Sequence, residues 1–348
     1  MARRSLLAAV VAAAALSACA HGEVRQVGTH RPGDPSWPRG EQRRIAWLGE
    51  IRGPESLGIE RGFFTRVWDF VTGRNELEGL YRPAGVAVDA AGRIAIADPG
   101  RRAVHLYDPA RHESRRILGP EGARLVYPVA VAFVGRTLLV ADAEAAAVRA
   151  FDEAGRPVPS PVALPPLSRP AGLAVDEGRG RVFVSDAASH VVHVLPLAAG
   201  RAASEAARTL GGRGDGQGQF NFPTHLALDG AGRLVVCDAL NFRVQVFGAD
   251  LEPQGGFGQN GDGLGDLARP KGIVVDREGV VFVLEGYHDV IQAFEAHGRL
   301  LGVFGGSGVQ PGRFWLAGGM ALDGRGRLFV ADTYNARVQV FDLEARTP

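Results

Sequence analysis

Six acidic side chains recur along the chain and are the first candidates for chemistry, because carboxylates serve as general acids, general bases or metal ligands. Successive members of this series are 44, 44, 52, 47 and 47 residues apart, and each follows a short apolar run. An acid that recurs once per unit at the end of a strand is better explained as an acceptor of backbone N–H groups that holds the next turn. We therefore predict a structural role for all six: Asp98, Asp142, Asp186, Asp238, Glu285 and Asp332.

The residues that break this repetition are stronger candidates for a specific site. They come from three consecutive units and combine polar with aromatic side chains, a mixture that suits a protein-docking surface. We expect them to meet at one rim of the fold. The alternative is a set of solvated rim residues that bind nothing. The candidates are His225, Lys271, Tyr287, His288, Tyr334 and Asn335.

Neither a metal nor a cofactor is predicted. Zinc needs three or four convergent ligands, which one histidine beside one lysine does not supply. The chain has no Gly-x-Ser-x-Gly motif and no Cys-x-x-Cys-His motif, so no catalytic residue is assigned. Several other histidines fall in turns or outer strands and are expected at the surface: His105, His112, His190, His193 and His297.

The elements that position these residues form a unit of about 45 residues. A proline opens a short apolar strand ending in Asp, as in 83–89, and a glycine turn leads to a second strand that ends in the recurring acid. A third strand alternates apolar and polar residues, with the period of two of a β-strand, and a weaker fourth follows. Six copies of this unit predict an all-β fold, a six-bladed β-propeller with four antiparallel strands per blade.

The two ends of the repeat array predict how the ring closes. The last unit stops at Asp342 without a fourth strand, and residues 43–48 carry a matching strand pattern. We predict that this N-terminal strand pairs with 338–341 and completes the last blade, which removes an exposed edge. Apolar residues at every fourth position of 59–72 predict a short amphipathic helix packed on one end of the ring, with an irregular strand pair as the alternative.

Two segments carry a family resemblance. Asp238–Phe247 reads DALNFRVQVF and Asp332–Phe341 reads DTYNARVQVF, and both closely resemble the NHL-repeat signature. This resemblance covers about residues 43–342 and implies a six-bladed propeller, a scaffold that serves RNA binding, protein scaffolding, lyases and lactonases. Propeller enzymes of this type hold a metal on the central axis with inner-strand residues. The matching positions here provide only His225 and Lys271.

The N-terminus has the pattern of an exported lipoprotein. Residues 1–18 combine Arg3 and Arg4 with an eleven-residue apolar run, and Leu16-Ser17-Ala18-Cys19 resembles the bacterial lipobox. The resemblance implies lipidation of Cys19; an ordinary secretory signal is the alternative. Residues 19–40 then form the lipidated cysteine with a flexible tether, and 41–348 form the propeller. The absence of Asp after the cysteine resembles outer-membrane lipoproteins, if the host has two membranes; otherwise the cell membrane is the expected anchor.

Charge and composition narrow the function. The 348 residues carry a formal net charge of +1, which lacks the basic excess of a nucleic-acid-binding protein. We interpret the chain as a membrane-anchored NHL-repeat lipoprotein, a monomer that acts as a non-catalytic docking scaffold for another protein of the bacterial cell envelope. The alternative is a propeller enzyme, a metal-dependent lyase or lactonase with its site on the central axis.

Overall fold

The computed structural model describes residues 44–59, 79–197 and 207–345. These residues form six four-stranded antiparallel sheets arranged as blades, so the prediction of an all-β, six-bladed β-propeller is confirmed. Three short 3-10 turns complete the secondary structure of the described residues: Pro54–Leu57, Ala239–Asn241 and Thr333–Asn335. The predicted leader 1–18, the tether 19–40 and residues 60–72 of the predicted helix lie outside the described residues.

The strands follow the repeat unit. The chain starts with β1 (Arg44–Ile51). Blade one contains β2 (Gly85–Val88), β3 (Ile94–Asp98), β4 (Ala103–Asp108) and β5 (Glu113–Ile117). Blade two contains β6 (Pro128–Val134), β7 (Thr137–Asp142), β8 (Ala147–Phe151) and β9 (Pro157–Val158). Blade three contains β10 (Pro170–Asp176), β11 (Arg181–Asp186), β12 (Val191–Pro196) and β13 (Arg208–Gly211).

The second half of the ring has the same order. Blade four contains β14 (Pro223–Leu228), β15 (Leu234–Asp238), β16 (Arg243–Phe247) and β17 (Pro253–Phe257). Blade five contains β18 (Pro270–Val275), β19 (Val281–Glu285), β20 (Val290–Phe294) and β21 (Leu300–Gly305). Blade six contains β22 (Met320–Leu322), β23 (Arg327–Asp332) and β24 (Arg337–Ala345), together with β1.

The register places all recurring acids at one end of the ring. Pro128 pairs with Asp142, and Pro223 pairs with Asp238, so the start of each inner strand lies beside the acid. We call this end the acid-turn face; it comprises the turns 99–102, 143–146, 187–190, 239–242, 286–289 and 333–336 and the connections between blades. The opposite end, the hairpin face, comprises the turns 89–93, 109–112, 135–136, 152–156, 177–180, 229–233, 248–252, 276–280, 295–299 and 323–326.

The core is divided among the blade interfaces. Six clusters of buried apolar residues lie between neighbouring blades, one for each of the six contacts around the ring. The cluster between blades six and one includes Ile96, Tyr107 and Phe329. Each blade therefore buries both sheet faces against its neighbours, which explains the long apolar runs of the second strands.

Closure of the ring is as predicted. β1 pairs with β24 antiparallel and forms the outer strand of blade six, with Trp47 opposite Phe341. The indole Nε1 of Trp47 donates to Oε1 of Gln339 at 3.1 Å, and Arg337 forms an ion pair with Glu50 at 2.7 Å. The two ends of the repeat array are thus joined by a ladder, a hydrogen bond and an ion pair.

Candidate functional site

The six recurring acids are fully buried on the acid-turn face. Asp98 accepts the backbone N–H groups of Tyr81 at 2.7 Å, Arg82 at 3.0 Å and Arg101 at 3.0 Å. Equivalent bonds from the residues that lead into the inner strand reach each other acid of the series: Asp142, Asp186, Asp238, Glu285 and Asp332. Their predicted role in holding turns is confirmed, and these bonds tie the first strand of each blade to the second.

In blades four and six the acid also organises a network of side chains. Asp332 Oδ2 accepts bonds from Asn335 Nδ2 at 2.9 Å, Arg337 Nε at 2.7 Å and Gln339 Nε2 at 3.0 Å. Asn335 further donates to the Gly308 carbonyl at 2.8 Å. The same arrangement in blade four consists of Asp238, Asn241, Arg243 and Gln245. The Asn335 amide therefore holds its turn and the connection that precedes the inner strand.

Two histidines expected at the surface are buried, so that prediction was wrong for them. His105 and His193 are 3% and 9% exposed. They occupy, in blades one and three, the strand position that Gln245 and Gln339 occupy in blades four and six, because each pairs across to the residue two before the recurring acid. Burial lowers the pKa of His105 to about 4, although the Asp98 carboxylate opposes that shift.

Small residues bring the inner strands together at the centre of the ring. A Cβ atom added to Gly85 would lie 2.4 Å from the Val129 carbonyl oxygen, and one added to Gly319 would lie 2.8 Å from that of Ala84. Only glycine permits this approach of backbones. The matching positions of the six blades are Gly85, Ala130, Gly172, His225, Gly272 and Gly319.

His225 is the one large side chain in this inner series. Its Nε2 lies 3.2 Å from where a Cβ of Gly319 would stand, so the imidazole reaches from blade four towards blade six. Both ring nitrogens are buried, as is Thr224 Oγ1, and none has a hydrogen-bond partner among the described residues. Burial lowers the pKa of His225 to about 4, and the charge of Lys271 adds to the effect. At neutral pH the imidazole is therefore uncharged and offers one donor and one acceptor.

The side chain of Lys271 reaches from blade five to the start of blade six, near His225. Its Nζ donates to the Ala317 carbonyl at 3.3 Å, and its Cδ lies 3.0 Å from the position of a Gly286 Cβ. Burial lowers the pKa of Lys271, and the nearby Arg269 charge lowers it further, against the opposing carboxylates. The ammonium group thus lies across the inner rim next to the turn that carries Tyr287 and His288.

Tyr287 and His288 follow the only glutamate in the acid series. His288 Nδ1 lies 2.9 Å from Glu285 Oε2, and the Tyr287 and His288 rings meet edge to face with their centroids 4.9 Å apart. Glu285 is completely buried, whereas Tyr287 is 66% exposed. The turn therefore presents one aromatic ring to solvent while its histidine is held by the buried carboxylate.

Tyr334 belongs to an aromatic cluster that sequence analysis did not predict. Its ring centroid lies 5.8 Å from that of Trp315, and the Arg82 guanidinium lies 5.1 Å from Tyr334 and 5.5 Å from Tyr81. We call Tyr81, Arg82, Trp315 and Tyr334 the aromatic cluster. Ring closure brings it together, because Tyr81 and Arg82 precede blade one whereas Trp315 and Tyr334 belong to blade six.

The six sequence candidates thus all lie on or beneath the acid-turn face, but in separate groups. His225 and Lys271 lie near the axis, Tyr287 and His288 share one turn, and Tyr334 joins the aromatic cluster beside Asn335, whose side chain is engaged in the network. Within the ranges that the structure describes, no group of three or more His, Cys, Asp or Glu side chains could hold a metal ion.

The two faces of the ring differ in their exposed side chains. Nine of the ten large exposed hydrophobic residues among those described lie on the acid-turn face, and the tenth, Leu48, lies on the edge strand β1. The nine are Tyr81, Val126, Tyr127, Leu240, Leu264, Tyr287, Val309, Trp315 and Tyr334. On the hairpin face, by contrast, ion pairs at 2.6 Å such as Arg93–Asp89 and Arg233–Asp229 fasten the turns. Aromatic area is thus concentrated on one face only.

Comparison with known proteins agrees with this architecture. Residues 314–341 match the family model of the NHL repeat. Blade six therefore contains an NHL repeat. A search of curated proteins found no match. None of the helices within the described ranges combines the length and apolar character needed to cross a bilayer.

Solved structures share the fold at low sequence identity. A gluconolactonase from Xanthomonas campestris superposes with a TM-score of 0.57 at 17% identity, covering 90% of this chain and 99% of that one. Virginiamycin B lyase from Staphylococcus aureus gives 0.52 at 11%, covering 75% and 95%. An auxiliary nutrient binding protein from Bacteroides thetaiotaomicron gives 0.59 at 11%, covering 77% and 70%. Enzymes and a binding protein thus share this propeller, so the fold alone does not assign an activity.

Proposed function

We propose that this protein is a lipid-anchored, NHL-repeat scaffold of the bacterial cell envelope that binds another envelope protein through its acid-turn face and has no catalytic activity. The observation that carries this proposal is the concentration of exposed aromatic and apolar side chains on that face. Aromatic side chains flanked by arginine are the residues that most often dominate binding energy at protein interfaces. Where these side chains are contiguous, as in the aromatic cluster, they favour an interaction site more strongly than apolar residues scattered singly would.

The buried acids beneath the exposed aromatic side chains support the same proposal. The turns that carry Tyr287 and Tyr334 are tied to the buried carboxylates of Glu285 and Asp332. A partner would therefore meet side chains whose backbone is already fixed, which reduces the conformational entropy lost on binding. The lipobox at Cys19 supplies the membrane attachment and the export route in this proposal.

The alternative function, a propeller enzyme, is favoured by one observation. His225 is a neutral imidazole whose two nitrogens are buried and unpartnered among the described residues, beside the ammonium group of Lys271. A neutral histidine next to a cation is a possible general base. Docking predicts that substitutions of the exposed aromatic residues abolish partner capture, whereas an enzyme predicts that substitution of His225 abolishes turnover. One set of variants therefore separates the two functions.

The test compares Tyr287→Ala/Tyr334→Ala with Leu48→Ala, which removes an exposed apolar side chain from outside the acid-turn face. Each tagged protein is expressed in its native host and recovered from detergent-solubilised envelopes. We expect one envelope protein at near-stoichiometric yield with the wild type and with Leu48→Ala, and its loss with the double variant. Capture that survives the double variant would contradict docking, and turnover of a lactone that is lost in His225→Ala would establish the enzyme instead.

A further inference from the structure

Three arginines occupy one repeat position on alternate blades. Arg82, Arg169 and Arg269 each precede the proline that opens the inner strand of blades one, three and five. We call them the arginine triad. Since the same position recurs around a closed ring, the triad surrounds the channel mouth on the acid-turn face.

The backbone of each member is fixed while its side chain is exposed. Backbone N–H groups of Arg82, Arg169 and Arg269 donate to Asp98 at 3.0 Å, Asp186 at 2.8 Å and Glu285 at 2.7 Å. The side chains form no ion pair with any described residue, and the carboxylates below them are buried and accept backbone N–H groups. The three guanidinium groups therefore face solvent with their charge available to a partner.

On the hairpin face, by contrast, the arginines at a repeated position form ion pairs. Arg93, Arg233 and Arg327 share a position after the first hairpin of their blades, and each pairs with the acid four residues earlier at 2.6 Å. Other hairpin-face arginines, such as Arg277 and Arg325, form no ion pair with a described residue either, so the contrast is between the two repeated positions and not between whole faces. The triad is the repeated position without ion pairs, and it lies on the face that also carries the exposed aromatic side chains.

We infer that the docked partner presents an acidic segment, which lies across the arginine triad and inserts an aromatic or apolar side chain beside the aromatic cluster. This inference rests on the proposed docking function and adds the chemistry of the partner. A guanidinium group binds a carboxylate through two parallel N–H···O bonds, and its position over a tyrosine ring, as in Arg82, leaves that edge free. Three cations on a nearly neutral protein favour a short acidic segment over a nucleic acid, which demands a strongly basic surface.

The experiment uses the full-length protein in detergent and a random copolymer of glutamate and tyrosine, poly(Glu,Tyr), as the probe. Binding is measured by biolayer interferometry at low and moderate salt. The triple variant Arg82→Glu/Arg169→Glu/Arg269→Glu is compared with Arg111→Glu/Arg277→Glu/Arg325→Glu, which makes the same change of net charge on the hairpin face. We expect the first variant to bind at least about tenfold more weakly and the second to bind within about twofold of the wild type.

Three other probes define what would overturn the inference. Equal affinity for poly(Glu) would exclude the aromatic anchor, equal affinity for poly(Lys,Tyr) would exclude the role of charge, and tighter binding of oligo(dT) would replace the protein partner with a single-stranded nucleic acid. Capture of the native partner that persists in the triple variant would contradict the proposed acidic segment but not the proposed docking function. Capture that persists in Tyr287→Ala/Tyr334→Ala would contradict the docking function itself, so the two failures are distinguishable.

Discussion

Substitution of Asp332 tests whether the recurring acids hold the ring together. Arg337 is 1% exposed, and its Nε lies 2.7 Å from Asp332 Oδ2. Asp332→Ala would leave this buried guanidinium without one of its two carboxylate partners, and removal of one partner of a buried ion pair costs about 3–5 kcal/mol in folding free energy. Because Glu50 remains as a second partner at 2.7 Å, we expect a loss of about 3 kcal/mol.

The double variant separates loss of the ion pair from loss of packing. In Asp332→Ala/Arg337→Leu both members of the buried ion pair are removed and neither charge is left without its partner, so the combined destabilisation should be smaller than the sum of the single effects by about 1–3 kcal/mol. Glu295→Ala provides the control, because that acid pairs with an exposed arginine on the hairpin face and its removal should change stability little.

Unfolding in guanidinium chloride is followed by tryptophan fluorescence and by circular dichroism. When the unfolding transitions seen by the two methods coincide, each curve gives the free energy of unfolding. A decrease in folding free energy below about 1 kcal/mol for Asp332→Ala would refute the reasoning, because removal of the carboxylate partner from a buried arginine destabilises a protein by more than that. Additive effects in the double variant would show that Arg337 and Asp332 act independently, which the geometry contradicts.

Two further predictions rest on the structure and a third rests on the sequence. Burial keeps the pKa of His105 near 4, below that of an unfolded histidine at about 6.5, so stability is complete above pH 6.5 and falls by up to about 3 kcal/mol per such group as the pH drops to 4. His105→Gln should reduce that fall, and an unaltered pH profile of the melting temperature would refute the assignment. Deletion of 44–51 exposes the edge of β24 and should cost several kcal/mol; an unchanged denaturation midpoint would exclude a closing role. Cys19→Ala should leave the protein unprocessed or release it from the membrane, and an intact mass that shows an unmodified N-terminus downstream of Cys19 in the native host would exclude lipidation as the anchor.

The architecture was predictable because its signals are periodic and local. The acid spacing gives the blade length, the alternation of apolar residues gives the strands, and the missing fourth strand after Asp342 gives the closure by β1. The acid spacing and the alternation of apolar residues recur in every unit, so an error in one unit does not change the predicted fold.

The burial of His105 and the aromatic cluster were not predictable in the same way. A histidine in the third strand of a blade gives no sign of burial until the register aligns it with Gln245 and Gln339 of other blades. Tyr81 and Trp315 are 234 positions apart along the chain and lie in connections without a regular pattern. Their proximity depends on the conformation of the two connections on either side of the closure, which the repeat pattern does not encode.

The repeat itself explains why binding residues would collect on the acid-turn face. The buried acid accepts backbone N–H groups from the connection before the inner strand and from the turn that follows the second strand. Some turn residues, such as His288 and Asn335, also bind the acid through their side chains, but the second residue of each turn does not, so its side chain is free to differ between blades without loss of the fold. The second position of each turn accordingly differs around the ring: Gly100, Glu144, Ala188, Leu240, Tyr287 and Tyr334. A rigid backbone that carries variable side chains is the arrangement that specific recognition requires. The hairpin face lacks this freedom where its turns depend on side-chain carboxylates and arginines to hold their shape.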